Sequence, residues 1–259
     1  MSGRLRHYAP AVAVFIGVLV LWELAVRVLS IQQFLLPRPT AIAAAFAEHF
    51  DELVLVGRNT LVEAVGGLAI GAAAAFAVAF ATARWATASR ALLPFAIAAN
   101  SVPIIAFAPI MNNWFGILNP LSKMMVVAVL VFFPIMINTL RGLTLVDQSS
   151  LELMRSYAAS EREIFTKVRI PNALPYIFTA LKVSATLSLI GAIVAEYFGG
   201  AQSVLGQFII TEAAFFRFAN AWAAIIVASA VSIAFFGTIL VVERVTIPWH
   251  ASARHGDAT

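Results

Sequence analysis

Long apolar runs alternate with shorter polar connections along the whole chain. Six such runs fall at about 9–29, 60–83, 91–111, 121–140, 174–197 and 221–243. Each is close to the ~20 residues a helix needs to cross roughly 30 Å of hydrocarbon. The runs are continuous rather than alternating, so they read as helices and not as strands of a barrel. The pattern predicts an all-α polytopic membrane protein of six spans, forming a single transmembrane domain over 1–259. The first run follows Arg4 and Arg6, as a signal peptide would. It then continues through Trp22 and Glu23 to about Leu29 with no small-residue cleavage site, and so reads as an uncleaved first span.

The most charged connection lies between the fourth and fifth runs. Residues 141–172 hold nine of the chain's 30 charged residues. From Ser149 to about Lys167 the periodicity is helical, with Leu151, Met154, Ala158 and Phe165 at the apolar positions. Ser149 or Ser150 can cap the first turn, with Glu152 close to its N-terminus. Ser160 and Glu163 have the spacing of a capping box, which predicts a break near Ala159–Ser160. Pro171 and Pro175 are expected to stop the second helix before the fifth span. The segment is thus two short amphipathic helices across one mouth of the bundle. It is either a docking surface for an aqueous partner or a solvated surface helix.

Composition agrees with lipid as the solvent. Charged residues make up 12% of the chain, about half the ~25% typical of soluble domains. The net charge of +4 fits basic residues gathered on the cytoplasmic side better than it fits nucleic acid. With the N-terminus in the cytoplasm, eleven basic residues fall inside (Arg141, Arg155, Arg162, Lys167 and Arg169 among them). Five fall outside: Arg27, Arg38, Arg58, Lys123 and Arg217. Lys182 lies within the fifth span. This asymmetry places both termini and the polar segment in the cytoplasm.

Several chemistries lack their residues. The chain has no cysteine, which excludes disulfides, thiolate metal sites and thiol catalysis. It has no Gly-x4-Gly-Lys-Ser/Thr loop for ATP phosphates. His7, His49, His250 and His255 all lie outside the spans. No metal site and no catalytic set, including one for an intramembrane enzyme, is therefore expected.

Polar residues at membrane depth remain. Glu23 and Arg27 are spaced to pair along one helix face. Glu63 begins the second run and Glu196 ends the fifth; Glu196 either meets a substrate donor or snorkels to the outer surface. Asn100, Asn138, Ser184 and Ser188 lie in spans, and Asn112, Asn113 and Trp114 follow the third. These are the candidate pathway residues, since amides and hydroxyls offer hydrogen bonds without burying charge. An interfacial aromatic belt explains Trp114 equally well. Gly66, Gly67 and Gly71 mark a face of the second run for close helix contact.

The polar segment resembles the cytoplasmic motif of bacterial ABC importer permeases, Glu-Ala-Ala-x3-Gly-x9-Ile-x-Leu-Pro. It reads Glu152-Leu153-Met154, with Ala158 at the glycine position and Val168-Arg169-Ile170-Pro171 nine residues further on. Other stretches are similar to the permeases of nitrate, sulfonate and taurine importers and of riboflavin and thiamine-precursor importers. They include Trp22-Glu23, Leu36-Pro37-Arg38-Pro39, the run from Val102 to Pro109, Trp114-Phe115-Gly116, Ser122-Lys123, Phe133-Pro134 and Ala195-Glu196.

This resemblance implies a permease subunit in a bacterial inner membrane, with no ATPase site of its own. It implies ATPase coupling through Glu152, Ala158, Ala159, Ser160, Val168, Ile170 and Pro171. ATP and Mg would be bound by a partner ATPase present in two copies. An extracytoplasmic substrate-binding protein and a second permease copy would complete the assembly. The stretch Ile105–Gly116 looks closer to the riboflavin and thiamine-precursor branch. The spans also lack a mid-span arginine to clamp a sulfonate or nitrate, which suits a flat neutral heterocycle. A stand-alone secondary transporter would instead need acidic residues at mid-membrane, and the carboxylates here sit mainly near span ends.

Overall fold

The computed structural model describes residues 2–83, 85–99 and 102–249. Among these the secondary structure is helical throughout. Five helices are long and apolar enough to cross a bilayer. They are α1 (Ser2–Val28, apolar from Ala9), α3 (Phe50–Thr82), α6 (Pro120–Thr144), α9 (Ile170–Tyr197) and α11 (Phe218–Thr246). Shorter helices fill the connections. These are α2 (Pro39–Glu48), α4 (Ala86–Ala99), α5 (Ala108–Phe115), α7 (Gln148–Ser156), α8 (Glu161–Ile164) and α10 (Leu205–Ala214).

Helix α6 is the centre of the bundle, with α3 on one side and α9 on the other. The small-residue face of α3 makes this possible. A Cβ on Gly67 would lie 2.5 Å from Val127 Cβ, and one on Gly71 2.5 Å from the Ala128 carbonyl. The two backbones therefore approach to a distance that any larger residue would prevent. Around this seam Val127, Val131, Ile135 and Leu140 of α6 pack against Ala64, Leu68 and Ala75 of α3 and Leu189 and Ala192 of α9. A second cluster joins α2, the start of α3, α10 and α11 through Ile42, Leu53, Val56, Leu205 and Ala224. Helix α1 is peripheral. It is held by an edge-to-face contact of Trp22 with Trp222, centroids 5.4 Å apart. Glu23 pairs with Arg27 at 2.6 Å, as its spacing predicts, and also accepts from the Thr40 amide at 3.1 Å at the start of α2.

Two sequence expectations change. The third run, 91–111, does not form one long helix. Helix α4 ends at Ala99, a 3-10 turn covers Ile104–Phe107, and α5 ends at Gly116 with φ +96°. Pro103 has no amide hydrogen to donate and biases Val102 away from helical geometry, which accounts for the interruption. The helix also fails to stop at Pro171 and Pro175. Residues Phe165–Arg169 form a π turn in which the Ile170 amide donates back to the Phe165 carbonyl, joining α8 to α9 without a gap. Pro171 then falls at the start of α9, where the wider turn has already broken the ordinary ladder and a missing donor costs little.

Candidate functional site

The polar segment is an ordered hairpin built outward from the end of α6. Asp147 caps α7: its Oδ2 accepts from the Ser150 amide at 3.1 Å and from the Ser150 hydroxyl at 3.2 Å. The cap is therefore Asp147 and not Ser149 or Ser150. A carboxylate makes the stronger, charge-assisted bond and is also favoured by the positive end of the helix. No residue of α7 is buried, and Leu153 and Tyr157 are 56% and 76% exposed.

The break between α7 and α8 has a defined geometry. Ala158 adopts φ +53°. Its amide donates to the Arg155 carbonyl at 2.9 Å, and the Ala159 amide to the Met154 carbonyl at 3.0 Å. These two bonds and the left-handed residue between them make a Schellman end. Glycine enters that conformation without steric cost. An L-residue with a Cβ pays roughly 1–2 kcal/mol to enter it.

The capping box expected from Ser160 and Glu163 is present, with Glu163 Oε2 accepting from the Ser160 amide at 3.0 Å. Glu163 also holds Lys167 at 3.0 Å. Ile164 is buried beneath the turn.

The two ends of the hairpin are tied together by Asn172. Its Nδ2 donates to the Gly142 carbonyl at 2.7 Å and the Leu145 carbonyl at 3.1 Å, satisfying the open end of α6. Sequence reasoning passed over this residue, because nothing local marks its partners.

The structure divides the candidate coupling residues into two groups. Glu152, Ala158, Ala159 and Ser160 lie at the protruding tip, with Ala159 half-buried and the others exposed. Val168, Ile170 and Pro171 are half-buried at the root. Val168 and Pro171 line a cavity of about 660 Å³ behind α7, together with Met154, Tyr176 and Trp249.

The candidate pathway residues are not gathered into one lining. Asn100 lies outside the described residues. Ser184 and Ser188 are fully buried between helices, and Ser188 Oγ donates to the Ala185 carbonyl at 2.8 Å. Asn138 Nδ2 donates to the Pro134 carbonyl at 2.8 Å, within its own helix. Asn113 and Trp114 are exposed.

Asn112 and Glu196 belong instead to a polar cluster at the ends of the spans away from the hairpin. Lys123, 1% exposed, donates to Asn112 Oδ1 at 3.1 Å and to the Ile117 carbonyl. Asn112 Nδ2 donates to the Phe198 carbonyl at 3.2 Å. Glu196 does not snorkel. It is fully buried, its Oε2 accepts from the Gly206 amide at 2.6 Å, and Glu63 and Lys123 pack beside it. The start of α10 covers it, since a Cβ on Gly206 would lie 2.6 Å from Glu196 Cβ.

The fold and this site define a multi-pass helical membrane protein with one ordered hydrophilic hairpin between two of its spans. Residues 67–245 match the family described as the binding-protein-dependent transport system inner membrane component. The chain belongs to that family, and it is a permease subunit of an ABC transporter. It is 30% identical over 236 residues to the formylaminopyrimidine transport permease protein ThiX of Halalkalibacterium halodurans, covering 91% of this chain and 93% of that one. It is 27% identical over 236 residues to the riboflavin transport system permease protein RibX of Chloroflexus aurantiacus, covering 90% and 87%. The putative aliphatic sulfonates transport permease protein SsuC of Bacillus subtilis is 26% identical over 237 residues, covering 91% and 85%.

Proposed function

We propose that the chain is the translocation subunit of an ATP-driven importer for a small flat heterocycle, such as riboflavin or a pyrimidine precursor of thiamine. The observation that carries the importer reading is the α7–α8 hairpin. It is braced at its root by Asn172 and the π turn, yet leaves Leu153 and Tyr157 exposed. Each of two permease copies docks one ATPase through this hairpin. ATP and Mg are held by the ATPases, whose closure moves both hairpins and swings the pathway from inward- to outward-open. A binding protein delivers cargo at the opposite face. The hairpin and both termini lie in the cytoplasm of a bacterial cell, and the interrupted segment 86–115 completes the sixth crossing of the inner membrane. The permease itself makes and breaks no covalent bond.

The heterocycle reading draws on the named cargo of two relatives and on the cations at membrane depth. Lys123 is enclosed beside Glu63 and Glu196, Lys182 pairs with Glu243 at 2.7 Å, and Arg27 pairs with Glu23. Among the described residues, none of these three is free to clamp a small anion. The sulfonate relative favours the second reading, a sulfonate, taurine or nitrate permease. Uptake in proteoliposomes with the matching ATPase and binding protein decides between them. ATP-dependent uptake of riboflavin or a formylaminopyrimidine is expected. Uptake of taurine or nitrate with neither heterocycle overturns the cargo, and no ATP-dependent uptake of any of them overturns the importer.

A further inference from the structure

A second cavity of about 660 Å³ opens between the inner end of α3 and the root of the hairpin. Ala83 is buried at its base, and Phe80, Trp85 and Phe165 contribute aromatic walls. Phe80 and Phe165 meet edge to face with centroids 6.3 Å apart, while Trp85 is 62% exposed. Among the described residues the polar lining is Arg162, Arg169 and Glu161. Arg169 makes one long contact, 3.5 Å, to the Ala83 carbonyl, and among the described residues neither arginine forms an ion pair. Two guanidinium groups against one carboxylate leave the cavity positive. None of these residues has a part in the coupling tip.

Position and chemistry together limit the occupant. A guanidinium presents paired N–H donors that match phosphate oxygens. Aromatic rings beside it suit an apolar body attached to that phosphate. The cavity sits at the end of α3, a helix long and apolar enough to cross a bilayer, and tryptophan is favoured where such a span leaves the hydrocarbon. Basic pockets between spans on the cytoplasmic side suit anionic headgroups.

We propose that this cavity is a phosphate site filled by an anionic phospholipid of the inner leaflet. Arg162 and Arg169 hold the phosphate, and Phe80, Trp85 and Phe165 take the glycerol and upper acyl chain. This rests on the cytoplasmic placement of the hairpin. The lipid bridges the end of α3 to the root of α8 and braces the hairpin from the side opposite Asn172. A soluble aromatic phosphate ester offers the same chemistry, so the test separates the two sources.

The full-length permease is placed in phosphatidylcholine nanodiscs with a rising share of phosphatidylglycerol. Tryptophan emission of the native chain minus that of Trp85→Phe isolates Trp85. A saturable blue shift is expected, and Arg162→Gln should raise the half-saturating lipid fraction about tenfold, as for the loss of one charge-assisted phosphate contact. In a second arm, discs of phosphatidylcholine alone are titrated with phenyl phosphate. A response there without one to phosphatidylglycerol overturns the lipid and assigns a soluble phosphate ester. No Trp85 response in either arm, or one that Arg162→Gln leaves unchanged, overturns the site. Nanodiscs expose both leaflets and need no ATPase, so the outcome is independent of the uptake assay.

Discussion

Lys182 Nζ lies 2.7 Å from Glu243 Oε2 and ties α9 to α11 across 61 residues of sequence. Glu243 is 3% exposed. Removing one partner of such a pair leaves a buried charge uncompensated, which costs about 3–5 kcal/mol. Lys182→Ala should therefore lower the thermal stability of the purified permease sharply. The double variant Lys182→Met with Glu243→Leu should recover most of the loss. A Lys182→Ala protein as stable as the parent contradicts the pairing.

The seam between α3 and α6 makes a steric prediction. Gly67→Val places new atoms where 2.5 Å already separates an added Cβ from Val127. Overpacking of this kind costs about 1–3 kcal/mol. Gly17, whose Cβ would meet nothing within 4 Å, is the control. Gly17→Val should leave the melting temperature nearly unchanged while Gly67→Val lowers it.

These two cases mark what the sequence carried. The glycines of α3, the capping box at Ser160 and the Glu23–Arg27 pair are local patterns, and each was legible because its partners lie within a turn or on one helix face. The Lys182–Glu243 pair, the Asn172 clasp and the burial of Glu196 beside Glu63 and Lys123 depend on helices that meet only after folding. Glu63 and Glu196 both read as span-end carboxylates; nothing in either run shows that a later segment, entering at Gly206, seals them from water. Pro171 misled for a different reason. A proline in a regular helix predicts an end, but a π turn placed just before it removes the conflict.

The left-handed turn at Ala158 gives a gain-of-stability test. Ala158→Gly should stabilise the turn by about 1 kcal/mol, and Ala158→Val should weaken it, because a β-branched residue fits φ +53° poorly. Protease resistance of the hairpin in the purified permease reports both. Equal cleavage rates for the three chains contradict the geometry.

Topology can be read with single cysteines in a chain that has none. Ser149 and Ser203 are both exposed, one in the hairpin and one in the segment before α10. In intact cells an impermeant thiol reagent should label Ser203→Cys and spare Ser149→Cys. The reverse labelling inverts the assignment of sides.

Coupling should fail at the tip without loss of the protein. Ala159→Trp, or charge reversal at Glu152, is expected to abolish ATP-driven uptake while membrane levels stay normal, since an enlarged residue disrupts a packed interface by about 1–3 kcal/mol. Normal uptake by Ala159→Trp removes the docking role.

The π turn has a mechanical consequence. Because α8 runs into α9 without interruption, Glu161 and Tyr197 are the two ends of one 37-residue rod, roughly 55 Å long at 1.5 Å per residue. No loop separates the second helix of the hairpin from the span. A rod of that length rocking by about 5° about its midpoint displaces each end by about 2.4 Å in opposite senses, comparable to the helix shifts that separate discrete states of packed interfaces. The far end of this lever is Glu196, seated against the Gly206 amide. One continuous helix thereby connects the hairpin to a buried carboxylate at the other end of the span.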